Sequence, residues 1–290
     1  MKNFELLCLA FFCTTCMYVS VAGYRPVIIV HGILDSPKQL SGLARFIAKS
    51  HPGTEVIPVN MFNYLASFKR LWKQVESIKR FVYPIMQKAK DGVHLICFSQ
   101  GGLICRGILA TLPTHNVHSL ICLSSPLAGQ YGDTSYLRHF FPRYIKPRVH
   151  RICYNPLGQR ISVCNYWKDP HQENRYLKGN NYLPLLNGER AHSNILSWKR
   201  NFLRIKKLVL IGGPDDGVIT PWQSSLFGFY DSNENVVDMK HQNWYLKDTF
   251  GLKTLDANGG LHQCVFSGVR HTSWHSNFTV FRDCIEPWLT

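Results

Sequence analysis

Ser99 ends an apolar run, His94-Leu95-Ile96-Cys97-Phe98, and is followed at once by Gln100-Gly101-Gly102. A strand that reverses into a glycine-opened helix at a serine holds the hydroxyl out at the helix N-terminus, as in a nucleophile elbow. The usual spacing is G-x-S-x-G, and Cys97 stands here where the first glycine is expected. A serine hydroxyl attacks poorly at neutral pH unless a neutral imidazole removes its proton and a carboxylate orients that imidazole. With an elbow of this kind the partners follow in the chain order serine, acid, histidine. Gly212-Gly213-Pro214-Asp215-Asp216-Gly217 supplies an acid loop after the apolar run 207–211, with Asp216 well placed and Asp215 its competitor. His271, on a late loop between Cys264 and Cys284, suits the base, with His262 and His275 as alternatives. A tetrahedral intermediate also needs amide donors for its oxyanion. The amide of Gln100 follows the nucleophile, and Val30-His31-Gly32-Ile33 turns sharply enough to offer the amide of Ile33.

These loops need strands to carry them. Residues 26–30, 55–59, 93–97, 118–123 and 207–211 are short apolar runs of the kind that read as buried parallel strands. Between them lie helical patterns. Ser36-Pro37 can open one that runs through Lys49, Phe68 to Lys88 is amphipathic with Pro84 near its end, and Gly101 to Thr111 follows the elbow. The alternation predicts an α/β-hydrolase fold, a mostly parallel sheet with helices on both faces and ligand sites at the carboxyl ends of strands. From about 126 to 203 the alternation stops in a stretch rich in Tyr, Arg, Asn and Pro, which reads as an inserted cap. A helix near 242–250 and an amphipathic segment over 278–289 are expected beyond the acid loop.

Residues 6–22 form an apolar stretch after Lys2 and end in Ser20-Val21-Ala22, so a signal peptide over 1–22 is expected, with the mature domain spanning 23–290. That leaves seven cysteines. Their spacing suggests the local pairs Cys97 with Cys105, Cys153 with Cys164 and Cys264 with Cys284, with Cys122 a buried thiol, although spacing leaves connectivity open. No CxxC pair occurs and the histidines are scattered, so neither a metal nor a cofactor is expected. Asn277-Phe278-Thr279 is a glycosylation sequon at Asn277. The formal net charge of +15 is spread over several segments without a nucleic-acid-binding signature, which favours an anionic lipid surface or acidic substrates over nucleic acid. No obligate protein partner is evident.

Several unusual strings resemble the palmitoyl-protein thioesterase family: Cys97-Phe98-Ser99-Gln100-Gly101-Gly102, Gly129-Gln130-Tyr131-Gly132-Asp133-Thr134, Cys164-Asn165-Tyr166-Trp167, Pro214-Asp215-Asp216-Gly217-Val218-Ile219-Thr220-Pro221-Trp222-Gln223 and His271-Thr272-Ser273-Trp274-His275-Ser276-Asn277. The resemblance covers nearly all of residues 23–290. It implies Ser99 as nucleophile, Asp216 rather than Asp215 as acid, His271 as base, Ile33 and Gln100 as oxyanion donors, and the same three disulfides. It further implies hydrolysis of fatty-acyl thioesters in the lysosome, with compact substrates such as palmitoyl-CoA favoured over S-acylated proteins. A lipase or carboxylesterase acting on oxo-esters, or a non-catalytic lipid-binding protein, are the alternatives the residues leave open.

Overall fold

The computed structural model describes residues 23–132 and 143–290, so the expected signal peptide lies outside the described residues. Six strands form one sheet in the order β2-β1-β3-β4-β5-β8, every neighbouring pair parallel. They are β1 (Val27–Val30), β2 (Val56–Pro58), β3 (Val93–Phe98), β4 (Val117–Leu123), β5 (Lys207–Gly212) and β8 (Leu261–Val265); β6 (Phe229–Tyr230) and β7 (Val236–Val237) make a separate antiparallel ribbon. β1 and β3 are buried along their whole length, as helices on both faces of a parallel sheet require. Side chains alternate between two cores. Ile28, Leu95, Cys97 and Leu120 pack against α2 (Leu71–Lys88) and α3 (Gln100–Thr111), while Val27, Ile96 and Ile121 pack with α1 (Ser41–Ser50) and the C-terminal turns.

The five apolar runs all become strands of the sheet, β1, β3, β4 and β5 within it and β2 as a partly buried edge. β8 is an additional strand at the sheet edge, where His262 and Gln263 remain partly exposed and the apolar signal is weak. α1 begins at Ser41 rather than at Ser36-Pro37, and α2 at Leu71, preceded by a 3-10 turn Tyr64–Phe68. α2 runs past Pro84 to Lys88. The region expected to hold one helix over 242–250 has a single turn, Asn243–Leu246, then a second, Leu252–Ala257. The C-terminal segment breaks into three short helical turns over 278–288.

Between β4 and β5 the described residues hold only short helices, among them Val149–Cys153, Ser162–Tyr166, Glu173–Gly179, Leu183–Leu186 and Ile195–Phe202. They are tied to the body chiefly through α3. Arg106, 1 % exposed, donates to the carbonyl of Leu127 at 2.9 Å and to Asn187 Oδ1 at 3.0 Å, with its guanidinium 4.7 Å from the Phe227 ring centre and 4.6 Å from that of Phe250. Disulfides join Cys97 to Cys105, Cys153 to Cys164 and Cys264 to Cys284, and Cys122 is a buried free thiol. No helix among the described residues is long and apolar enough to cross a membrane.

Candidate active site

The carboxyl ends of β1, β3, β4, β5 and β8 lie on one edge of the sheet, and each delivers a residue to the same place. Ser99 follows β3 directly, with φ 52° and ψ −127°, a backbone conformation that non-glycine residues rarely adopt. The turn is possible because its neighbours are small. A Cβ on Gly101 would lie 2.5 Å from the Val30 carbonyl oxygen, and one on Gly32 would lie 2.8 Å from the Cβ of Ser99. Cys97 occupies the position where a glycine was expected without obstructing the turn. Its side chain points to the α3 face of the sheet and is bonded to Cys105, one and a half turns into the helix, so close helix–strand approach becomes a covalent tie.

His271 Nε2 lies 2.9 Å from Ser99 Oγ, and His271 Nδ1 lies 2.9 and 3.1 Å from the two Asp216 oxygens. A carboxylate facing Nδ1 fixes the proton there, which leaves the Nε2 lone pair directed at the serine hydroxyl. The histidine loop is set by the acid loop: the His271 amide donates to the Asp216 carbonyl at 2.9 Å, and the Gly268 amide donates to Asp215 Oδ2 at 2.7 Å. Asp215 therefore holds the backbone that carries the imidazole while Asp216 meets the imidazole itself. His262 is distant, on β8 against the Trp288 ring. His275 lines the same cleft as Ser99, its ring 5.0 Å from that of Phe98, but it makes no hydrogen bond to Ser99.

Asp216 is 3 % exposed and densely hydrogen-bonded. Oδ1 accepts from the Val218 and Ile219 amides at 3.0 and 2.7 Å, and Oδ2 from Trp274 Nε1 at 2.6 Å and Ser124 Oγ at 2.5 Å. Burial alone would raise the pKa of this carboxyl. The hydrogen bond and charge of His271, with the Ser124 hydroxyl and the Ile219 amide, outweigh burial and hold it at about 2. Ser124 and Trp274 were not singled out from the sequence. Ser124 directly follows β4, at the carboxyl end of the strand neighbouring that of Ser99, a position that the strand-end rule for open sheets would have flagged.

The cleft over Ser99 encloses about 210 Å³ and is walled by Ile33, Phe98, Val218, Thr272 and His275, among others. Ile33 thus stands at the reacting end, and Gln100 opens α3, where first-turn amides lack intrahelical acceptors. The loop after β1 is braced from behind. The Leu34 amide donates to Ser67 Oγ at 2.8 Å, and Gln100 Nε2 donates to the Ser67 carbonyl at 2.9 Å. A second cavity, about 430 Å³, lies among Lys168, Glu189, Tyr230 and Trp244 and shares no wall with this cleft. Among the described residues no group of three or more His, Cys, Asp or Glu side chains converges as a metal site would. The arrangement can pass a proton from a serine hydroxyl to an imidazole whose charged form a carboxylate stabilises.

Comparison with known proteins agrees with this geometry. The rat protein named lysosomal thioesterase PPT2 (Rattus norvegicus) is 55 % identical over 268 residues, 92 % of this chain and 89 % of its own length. The Drosophila melanogaster protein named lysosomal thioesterase PPT2 homolog is 40 % identical over 276 residues, 95 % of this chain and 96 % of its own. Among solved structures, the mature lipase BlEst2 of Bacillus licheniformis superposes with a TM-score of 0.51 over 93 % of this chain and 94 % of its own, at 15 % identity, a likeness of fold alone. The α/β-hydrolase architecture expected from the strand pattern is therefore the one found. The family model described as palmitoyl protein thioesterase matches residues 26–271, and the chain belongs to that family.

Proposed function

We propose that the chain hydrolyses fatty-acyl thioesters through an acyl-serine intermediate formed on Ser99. The observation that carries the reading is the unbroken hydrogen-bond chain from Ser99 Oγ through His271 to Asp216. Ser99 attacks the thioester carbonyl as His271 Nε2 takes its proton, and the oxyanion is met by the amides of Ile33 and Gln100. Collapse expels the thiolate, which takes the proton from His271 and leaves as the thiol; a thiol of pKa near 8.5 leaves more readily than an alcohol or amine. Water then attacks the acyl-serine, giving its proton to His271, which passes it to Ser99 Oγ as the fatty acid is released. Membership of the palmitoyl protein thioesterase family supports the substrate class, with palmitoyl-CoA and small S-palmitoyl thiols the preferred compact substrates.

The names of the relatives support action in the lysosomal lumen. A cleaved signal peptide over residues 1–22, three disulfides and a glycan on Asn277 belong to the same reading. Asn277 is half-buried and its Oδ1 caps the turn that follows, accepting from the amides of Thr279 and Val280. The segment over about 126–203 acts as the cap over the sheet. A fluorophosphonate probe tests the nucleophile: labelling that maps to Ser99 and disappears in the His271→Ala variant is expected, and a wild-type chain that resists labelling would favour a non-catalytic lipid-binding protein. Matched palmitoyl thioester and oxo-ester substrates then separate the thioesterase from a lipase or carboxylesterase.

A further inference from the structure

Three aliphatic side chains stand far into solvent on segments tied to the turn that braces Leu34 in the wall of the Ser99 cleft. Leu65 is 75 % exposed, Leu157 71 % and Ile161 43 %. Single exposed aliphatic residues are ordinary; grouped ones on a charged surface mark an interaction site. These belong to segments that are stitched together. Lys69 and Ile161 form an antiparallel bridge, Ser162 Oγ donates to the Ser67 carbonyl at 3.0 Å, and the Leu71 amide donates to Asn165 Oδ1 at 2.8 Å. Leu157 is held four residues before Ile161 by hydrogen bonds from the Arg160 amide to the Leu157 carbonyl and from the Ile161 amide to the Gly158 carbonyl. The disulfide from Cys153 to Cys164 closes this loop, so the exposed residues are displayed on a braced framework.

The charge around them has one sign. Residues 60–75 carry three Lys or Arg and residues 143–168 carry six, with no Asp or Glu in either segment. Lys146 and Lys168 pair with Glu234 and Glu189, but Lys69, Arg151 and Arg160 have no carboxylate partner among the described residues, and all three are exposed. Aliphatic tips amid unpaired cations match the interface of a bilayer with anionic headgroups, where the apolar groups enter the acyl boundary and the cations remain at headgroup level. An acidic glycan would use the cations and leave the aliphatic groups in water.

We propose that the chain docks on anionic lipid bilayers through Leu65, Leu157 and Ile161, flanked by Lys69, Arg151 and Arg160. The same 3-10 turn that displays Leu65 contains Ser67, which braces Leu34 in the wall of the Ser99 cleft. Docking therefore sets the cleft beside the membrane, where amphiphilic long-chain acyl thioesters partition. This use of the surface rests on the thioesterase reading; the docking itself does not.

Co-sedimentation of the full mature chain with vesicles tests the proposal. Vesicles of phosphatidylcholine with one third phosphatidylserine are expected to bind at least 10-fold more tightly than phosphatidylcholine alone, with loss of binding as salt is raised. The double variants L65D/L157D and R151E/R160E are each expected to weaken binding at least 5-fold while hydrolysing a water-soluble S-butyryl thioester of a neutral thiol at the wild-type rate. Equal binding to both vesicles, variants that sediment like wild type, or heparin retention without vesicle binding would overturn it. Failure of the wild-type chain to turn over the soluble thioester would overturn the thioesterase reading instead and leave the vesicle result standing.

Discussion

The Ser124 hydroxyl donates to Asp216 Oδ2 at 2.5 Å and lies 3.2 Å from His271 Nδ1, so the residue directly after β4 touches both the carboxylate and the imidazole. It is held there with φ 45°, a strained conformation for a serine. A carboxylate held by five donors cannot swing away from the imidazole it orients. Asp216, with its pKa at about 2, is fully ionised near neutral pH. Ser124→Ala is expected to lower kcat about 10-fold, the scale of one hydrogen bond to a charged group, with KM little changed. Steady-state hydrolysis of palmitoyl-CoA checks this; a variant that merely melts earlier, with wild-type kcat, would show Ser124 to be structural.

Asp215 and Asp216 are adjacent but differently employed, and their amide variants should separate them. Asp216→Asn leaves the imidazole without a partner to fix its proton, and kcat is expected to fall on the order of 10³- to 10⁴-fold. Asp215→Asn weakens only the hold on the Gly268 amide and is expected to cost less than 10-fold. Steady-state hydrolysis of palmitoyl-CoA by the two variants checks this; comparable losses would contradict the division of roles.

The tie between Cys97 and Cys105 closes a short loop directly beneath Ser99. Chain-entropy arguments give roughly 2.5 kcal/mol for a loop of this size, and Cys97→Ala with Cys105→Ala is expected to lower unfolding stability by about that amount. Because α3 would then be free to shift, kcat is expected to fall as well. Denaturant unfolding alongside turnover measures both. A double variant of wild-type stability would show that the bond is dispensable to the elbow.

Two buried histidines make stability depend on pH. Burial is the largest cause in each case and lowers the pKa of His94 and His115 to about 4, although hydrogen bonds to the carbonyls of Thr290 and Asn201 oppose it. The unfolded chain therefore binds protons below pH 6.5 that the folded chain refuses until about pH 4. Stability falls across that window, by roughly 2 kcal/mol per imidazole between pH 7 and 4.5. Asp216 acts lower: its contribution is full above the ordinary carboxylate pKa and is lost only as pH falls through about 2. Denaturant midpoints of His115→Gln and wild type, compared at pH 7 and 4.5, are expected to converge at the lower pH. Parallel loss in both would contradict the assignment.

The elements that bury whole strands were legible from composition alone, because runs such as Val27-Ile28-Ile29-Val30 have no other use in a chain of this kind. β8 was not, since an edge strand with His262 half in water carries no such signal. The short helices between β4 and β5 gain their order from tertiary ties such as Arg106 to Asn187, which leave no periodic trace in sequence. Within the site, chain order and turn chemistry pointed to Ser99, to the Asp215-Asp216 loop and to a late histidine, the family resemblance implied Asp216 and His271, and the structure brings these two within hydrogen-bond reach of each other and His271 within reach of Ser99. Ser67 and Trp274 could not be read in this way, because each acts through a contact with a segment distant in the chain, and Ser124 only by its place directly after β4. Cys97, which breaks the expected elbow spacing, is accommodated by the pairing with Cys105 that its spacing suggested.

Hydrolysis of palmitoyl-CoA by Ser99→Ala tests the central claim most directly. The folded variant is expected to retain less than about one part in 10³ of wild-type kcat, since only the amide donors and binding would remain. Retention of a tenth of the activity would mean that another group forms the acyl intermediate.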